Sequence, residues 1–445
     1  MRISKYSIYE FLLFHVFVFL YFVTFSHKDE WAPTVVLVVI TLFLILLEFL
    51  RTKLLVTPLI IWYAFWVGVI SVGRMDLGLY PFYQTWSREL LDVVLLNTVL
   101  FYWFYWIGEL GNSYISSAAG SSVGEVRGDL AALVALGMMA VSLCAFAANA
   151  VFCGYIPLFT ADANSARQSF ILTPFYRIVN LLRFGFAVSP VGIRYARQKA
   201  LKLALILFTG LMLLAEMLSG WRSFTLQAMV LFMTSLIMVM GTGGSGRKGS
   251  SKKLLPVLFA CVAMAVVFIG YIAVTRDGVG GALREKLRYV LYTVDMYIAP
   301  NFLNFQSGMN NMAVLGYPIY TTEAFWGLFT SWAEMPQLPP IDQSIGAFNV
   351  STYLLQPYVD LGVPGTALCS SIAGLAAGYV FRQCRYHRRI SSLVLLGILN
   401  FAILVMHNNF FFRASSTVLW IIAGFVLNVF LYKRDDSGKA IFPDA

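Results

Sequence analysis

The sequence predicts an all-α polytopic membrane protein, and three observations predict it. Of 445 residues, 59% are hydrophobic and only 12% are charged, about half the charged share of a soluble domain, and the mean hydropathy is +0.75. Apolar runs of membrane-crossing length recur along the chain, and basic clusters fall in alternate connections between them. So few ionic groups cannot solvate a globule of this size, so lipid is the expected solvent for most of its surface.

A helix needs roughly 20 residues to cross about 30 Å of hydrocarbon. Twelve runs fit that description, at about 7–25, 32–50, 54–73, 91–108, 129–152, 176–193, 203–218, 224–241, 254–274, 353–381, 391–406 and 416–432. The first follows Arg2 and Lys5 but is too long for a signal-peptide core. It is followed by Ser26, His27, Lys28, Asp29, Glu30 and Trp31 rather than a small-residue cleavage site, so it reads as a retained helix. The expected organisation is nine helices with short connections over 1–274, one large outer loop over 275–352, three helices over 353–432 and a cytoplasmic tail over 433–445.

Orientation follows from the basic residues. With both termini cytoplasmic, the clusters at 194–202, 247–253 and 382–389 all fall inside, together with Arg2, Lys5, Arg51, Lys53, Arg127, Lys433, Arg434 and Lys439. Moving any one helix would put a cluster on the wrong face. On the expected outer side arginine outnumbers lysine: Arg74, Arg88, Arg167, Arg177, Arg183, Arg222, Arg276, Arg284, Arg288 and Arg413 stand against Lys28 and Lys286. A guanidinium binds phosphate or carboxylate through a planar fork and keeps its charge when partly desolvated, so this bias points to an anionic ligand outside. Pairing with local carboxylates and lipid headgroups accounts for some of these arginines.

Metal and nucleotide chemistry lack their usual signatures. The five cysteines, Cys144, Cys153, Cys261, Cys369 and Cys384, stand singly, and the four histidines form no zinc motif; no acidic calcium loop or phosphate-binding glycine loop occurs either. No metal, cofactor or nucleic-acid partner is expected. The segment 241–253, rich in Gly, Ser and Lys, reads as a flexible cytoplasmic linker. The stretch from Thr275 to Thr352 is unusually long for a connection, which argues for function there.

Several polar groups sit where apolar helices end. Gly154-Tyr155-Ile156-Pro157-Leu158-Phe159 breaks a helix ahead of Asp162 and Arg167; the turn either projects Arg167 into a site or sets it on headgroups. Ser219-Gly220-Trp221-Arg222 joins two helices so tightly that Arg222 must lie at the bilayer edge. Glu216 lies about 1.5 turns inside the lipid zone, where an ionisable group costs several kcal/mol unless paired or wet. It is either functional or ion-paired with Arg177 or Arg183. Those two share a helix with Asn180 at spacings of three and either face a ligand or snorkel to headgroups. Arg276 follows a helix and precedes Asp277, a local salt-bridge competitor. Asp360 lies in Tyr358-Val359-Asp360-Leu361-Gly362 at the opening of the tenth run, as a functional carboxylate or a helix cap. His407 could accept a proton from a hydroxyl near neutral pH or serve as a polar anchor.

Taken together, Gly-x-Ile-Pro-Leu-Phe with a following arginine, Ser-Gly-x-Arg-Ser at a tight turn, Arg276 just past a helix, and Asn349-Val350-Ser351-Thr352-Tyr353 leading into Tyr-x-Asp-Leu-Gly-x-x-Gly resemble the Wzy-type oligosaccharide repeat unit (O-antigen) polymerases. The resemblance spans about 154–375; before 150 it lies in hydropathy alone. It implies a GT-C-like, metal-independent glycosyltransferase of the bacterial cytoplasmic (inner) membrane. Such an enzyme acts on the extracytoplasmic face on undecaprenyl-diphosphate-linked oligosaccharides, in lipopolysaccharide or other polysaccharide biosynthesis, with a chain-length regulator as a possible partner. It also implies Arg167, Arg222 and Arg276 on diphosphate, with Arg177 and Arg183 as second choices, and Asp360, Glu216 or His407 as base. The related O-antigen ligase shares the architecture but relies on a histidine of its large loop, and here 275–352 holds none. A lipid-linked oligosaccharide flippase or transporter fits the helix number but has little use for so long an outer loop.

Overall fold

A computed structural model of the chain describes residues 4–27, 31–73, 86–118, 126–241, 298, 300–326, 351–387, 389–411 and 415–432. Among the described residues the chain is all-helical; the only β-type pairing there is an isolated bridge between Val126 and Tyr432. The helices are α1 (Lys5–Val23), α2 (Trp31–Thr52), α3 (Pro58–Gly73), α4 (Arg88–Ala118), α5 (Gly128–Cys153), α6 (Ala163–Ile171), α7 (Pro174–Leu182), α8 (Gly185–Tyr195), α9 (Lys199–Leu218), α10 (Arg222–Gly241), α11 (Leu355–His387), α12 (Ile390–Val405) and α13 (Ser415–Leu431). A short helix, Glu323–Trp326, precedes α11.

Seven of these, α1, α2, α4, α5, α9, α10 and α11, are long and apolar enough to cross a membrane, and α3, α12 and α13 are shorter apolar helices. Many of their large apolar side chains point outward, such as Leu203 at 70% and Val429 at 69% exposure. An aqueous surface does not carry apolar area of this extent. The expectation of an all-helical, multi-helix membrane protein thus agrees with the structure at that level.

The twelve expected runs are redrawn in places. The run at 176–193 is not one span: α7 ends at Leu182 and α8 begins at Gly185. At 1.5 Å per residue, nine and eleven residues are each too short to cross. The break falls at Arg183, whose buried side chain is tied to neighbouring helices and fixes the backbone there. The third run is α3, which Thr57 caps and Pro58 opens, with a π-type turn over Tyr63–Val67. The tenth is α11, bent at Gly362, whose φ of 68° and ψ of −151° suit only glycine. The run at 254–274 and the tail 433–445 lie outside the described residues, and the expected loop 275–352 is described only at 298, 300–326 and 351–352.

The contacts divide the chain into two units. One comprises Met1–Gly111, Gly281–Tyr379 and Ala402–Ser415; the other comprises Asn112–Gly280, Val380–Phe401 and Ser416–Ala445. In the first, α4 and α11 approach backbone to backbone. A Cβ on Gly374 would lie 2.3 Å from the Phe101 carbonyl oxygen, and one on Gly378 2.0 Å from that of Tyr105. This small-xxx-small spacing lets two membrane helices meet closely. A polar relay crosses the same contact: Ser370 donates to Asn97 Oδ1 at 2.5 Å, and Asn97 Nδ2 donates to Thr366 at 3.1 Å. In the second unit α5 and α8 approach in the same way, with a Cβ on Gly192 falling 2.7 Å from Ala132 Cα.

Candidate functional site

The second unit builds a site at the turn between α9 and α10. Ser219 folds its hydroxyl back onto the Glu216 carbonyl at 2.7 Å, and Gly220 takes φ 72°, so the chain reverses within two residues and Arg222 opens α10. From the other side, Gly154 ends α5 in the left-handed conformation. The 3₁₀ turn Pro157–Phe159 then delivers the chain to α6, which carries Arg167. Asp162 starts α6 by accepting from the Ser165 backbone at 3.1 Å and its hydroxyl at 2.6 Å.

These two turns meet. The Arg167 guanidinium carbon lies 4.9 Å from the Trp221 ring centre, and Trp221 Nε1 donates to the Arg167 carbonyl at 3.3 Å. Arg167, Trp221 and Arg222 are half-buried. Arg167 thus packs its guanidinium on Trp221 by a cation–π contact, and Trp221 is the residue before Arg222 at the start of α10. Along α8, α9 and α10 of the same unit runs an apolar cavity of about 230 Å³ whose lining includes Phe186, Ile206, Leu213, Met229 and Phe232. Met229 is seven residues from Arg222 and so lies on the same face of α10, about 10 Å further along the helix.

Glu216 and Arg183 take the ion-paired alternative. Arg183 Nε donates to Glu216 Oε1 at 2.8 Å and Nη2 to Oε2 at 3.3 Å, and both side chains are 0% exposed. Tyr176 donates to Glu216 Oε2 at 3.0 Å, and Arg183 Nη1 donates to Asn180 Oδ1 at 2.6 Å and to Gln227 Oε1 at 3.1 Å. Phe224 lies 4.2 Å from the guanidinium carbon. Glu216 has both oxygens engaged and Arg183 is enclosed. The roles of base and diphosphate ligand drawn from the sequence do not suit a pair sealed in this way. Arg177 is exposed and does not share this network.

Asp360 and His407 belong to the first unit. Asp360 is fully buried and caps a loop distant in sequence rather than its own helix. Its Oδ1 accepts from Tyr320 N at 3.0 Å, and its Oδ2 accepts from Thr321 N at 2.7 Å and Thr321 Oγ1 at 2.5 Å. The carbonyl of Asp360 also accepts from Gly316 N at 2.8 Å. Asp360→Asn turns one acceptor towards these donors into a donor, and a buried unmatched group costs about 1–3 kcal/mol. Lower thermal stability and faster proteolysis at 317–326 are therefore expected in the purified variant; full activity loss at unchanged stability would show a chemical role instead. His407 sits in the turn after α12, and burial lowers its pKa to about 4. At neutral pH the imidazole is uncharged, but it is a weaker base than an ordinary histidine.

Arg276 lies outside the described residues. The structure also assembles a cluster that the sequence reading did not single out: Glu10, Glu48 and Glu109 around Arg51 in the first unit. Its signal was present as Glu10 and Glu48 interrupting apolar runs and Glu109 directly after one, each costly in lipid. Their convergence is a matter of helix packing, and no local pattern announces it. Comparison with known protein families, characterised proteins and solved structures gives no significant match for this chain.

Proposed function

We propose that the protein is a polysaccharide polymerase of the bacterial cytoplasmic membrane. It transfers a growing glycan from a polyprenyl diphosphate to a sugar hydroxyl of another lipid-linked repeat unit, on the extracytoplasmic face of a GT-C-like fold. The observation that carries the reading is the Arg167 guanidinium over the Trp221 ring, on the turn where Arg222 opens α10, with an apolar cavity lined further along that helix. Cationic forks at a helix end match a diphosphate, and the apolar cavity matches the first part of its hydrocarbon chain.

In the transfer, the bond between the sugar's anomeric carbon and the diphosphate oxygen breaks and its electron pair leaves on the diphosphate. The acceptor hydroxyl oxygen bonds to that carbon and gives up its proton. Arg167 and Arg222 would stabilise charge developing on the leaving group, the part of the barrier that fixed donors lower most. Arg276 and the exposed Arg177 stand as further diphosphate contacts. Arg183 and Glu216 brace the turn from beneath. The three groups expected from the sequence as proton acceptor are engaged within their own units, Glu216 by Arg183 and Tyr176 and Asp360 by Tyr320 and Thr321, while burial makes His407 a weak base, so the reading rests on the arginines. Tyrosine and tryptophan of 275–352 would stack on sugar rings, and a chain-length regulator in the same membrane would be the natural partner.

Deleting the gene tests the reading directly. A polysaccharide ladder should collapse to a single added repeat on a gel, with single-repeat glycolipid outside the membrane. An unchanged ladder would remove the proposal, accumulation inside would indicate a flippase, and an intact polymer never joined to its acceptor would indicate a ligase. The orientation has its own check in a cysteine-free background. Ser165 and Gln198 are both exposed. Ser165→Cys should react with an impermeant thiol reagent in spheroplasts and Gln198→Cys should not; reversed labelling would invert the topology.

A further inference from the structure

Three carboxylates of the first unit converge on a single guanidinium. Arg51 Nε lies 2.6 Å from Glu48 Oε2 and 3.6 Å from Glu10 Oε2, and Arg51 Nη1 lies 2.7 Å from Glu109 Oε1. Glu10 and Glu48 are 0% exposed and Glu109 is 7% exposed. The groups come from α1, α2 and α4, and α3 closes the site: Thr57 donates to Glu48 Oε1 at 3.0 Å and Tyr63 to Glu10 Oε1 at 2.7 Å. The Trp106 ring of α4 covers the guanidinium at 4.5 Å. Tyr102 and Tyr105, also on α4, are fully buried, and Tyr105 stands one turn before Glu109. Lys5 and Lys53 are exposed and lie over the Tyr6 ring.

Fully ionised, this site would hold three negative charges against one positive charge, out of water. Such an imbalance is too costly to persist without a bound cation. Two further observations point to an occupant. The Tyr105 hydroxyl, one turn of α4 before Glu109, is fully buried yet has no hydrogen-bond partner, and the outer oxygens Glu10 Oε2 and Glu109 Oε2 are buried without a hydrogen-bond donor.

The three glutamates are not equivalent. Both Glu48 oxygens accept, one from the guanidinium and one from Thr57, so this carboxylate is held as an anion. Glu109 accepts directly from Arg51. Glu10 accepts only from the neutral Tyr63 hydroxyl, and the Arg51 nitrogen nearest its Oε2, 3.6 Å away, is already committed to Glu48. We infer that the cluster is a proton-binding site and that Glu10 carries the proton on Oε2 at neutral pH. The proton lets α1 seat against α2, α3 and α4. Withdrawing it at alkaline pH charges that contact and loosens α1.

Infrared spectroscopy of the purified full-length protein tests this. At pH 7 the wild type should show a protonated-carboxyl C=O band, indifferent to sodium chloride, lost in Glu10→Gln and kept in the exposed control Glu89→Gln. Tyr63→Phe removes the donor to the Glu10 carbonyl oxygen, so the same band should move to higher frequency. That shift identifies Glu10 even if Glu10→Gln fails to fold. Melting temperature should fall on raising pH in the wild type and less so in Glu10→Gln. No band at pH 7, a band unchanged by both Glu10→Gln and Tyr63→Phe, or a band abolished by sodium, which would make a metal cation the occupant, would each overturn the inference.

Discussion

Arg222→Ala is expected to abolish chain extension while leaving the amount of protein in the membrane unchanged. The turn before it, Ser219-Gly220-Trp221, is fixed by the Ser219 hydroxyl and by Gly220 at φ 72°, so the start of α10 cannot swing Arg222 elsewhere. Each charge-assisted hydrogen bond to a diphosphate is worth about 1.5–3 kcal/mol. Loss of a two-pronged contact would therefore slow transfer at least about 100-fold, at 1.36 kcal/mol per tenfold. Arg222→Lys should restore activity only in part, because a point charge replaces a fork. Ladders quantified at matched expression decide the matter: near wild-type extension with lysine would show that Arg222 merely sits among lipid headgroups, and the diphosphate assignment would fail. Arg167→Ala should weaken extension in the same direction and also free the Trp221 ring, which a change in tryptophan fluorescence would report.

Arg183→Leu is the substitution with the largest expected effect on stability. It leaves Glu216 buried at 0% exposure with Tyr176 as its remaining donor, and breaking one side of a buried pair costs about 3–5 kcal/mol. The single variant should be scarcely detectable in membranes. Replacing both partners, as in Arg183→Leu with Glu216→Leu, removes the stranded charge and should recover much of the protein level. If the recovered double variant extends chains, the pair is a brace, as its geometry suggests. If it is stable but inactive, one of the two touches substrate, and the division of labour among the arginines proposed above would have to be redrawn.

The polar residues differ in how far the sequence alone could place them. Arg222 was legible because a run ending at 218 and another starting at 224 leave little chain in between; local chain geometry puts it at the helix end. Arg167 was legible as a residue after a helix break. That it stacks on Trp221, 54 residues away, was not. Glu216 announced itself as an expensive group in lipid, and two arginines on the run at 176–193 offered themselves equally as partners. Packing chose Arg183, because the break after Leu182 turns it inward while Arg177 stays exposed. Asp360 read as either a functional carboxylate or a helix cap. It is instead spent on Tyr320 and Thr321, some 40 positions earlier, a partner that spacing along the chain has no means of suggesting.

Composition and hydropathy by themselves determined that this chain is helical and apolar enough for a membrane, and roughly where ten of its helices run, because in lipid every backbone polar group must be satisfied within its own segment. Each span can therefore be read one at a time. Only the tertiary structure decided which ionisable groups meet: Arg183 with Glu216, and Glu10, Glu48 and Glu109 around Arg51. The cost of burying each charge is local and shows in the sequence, whereas the partner that offsets it arrives from another helix, at a rotation and depth fixed by packing such as the close approach at Gly374 and Gly378.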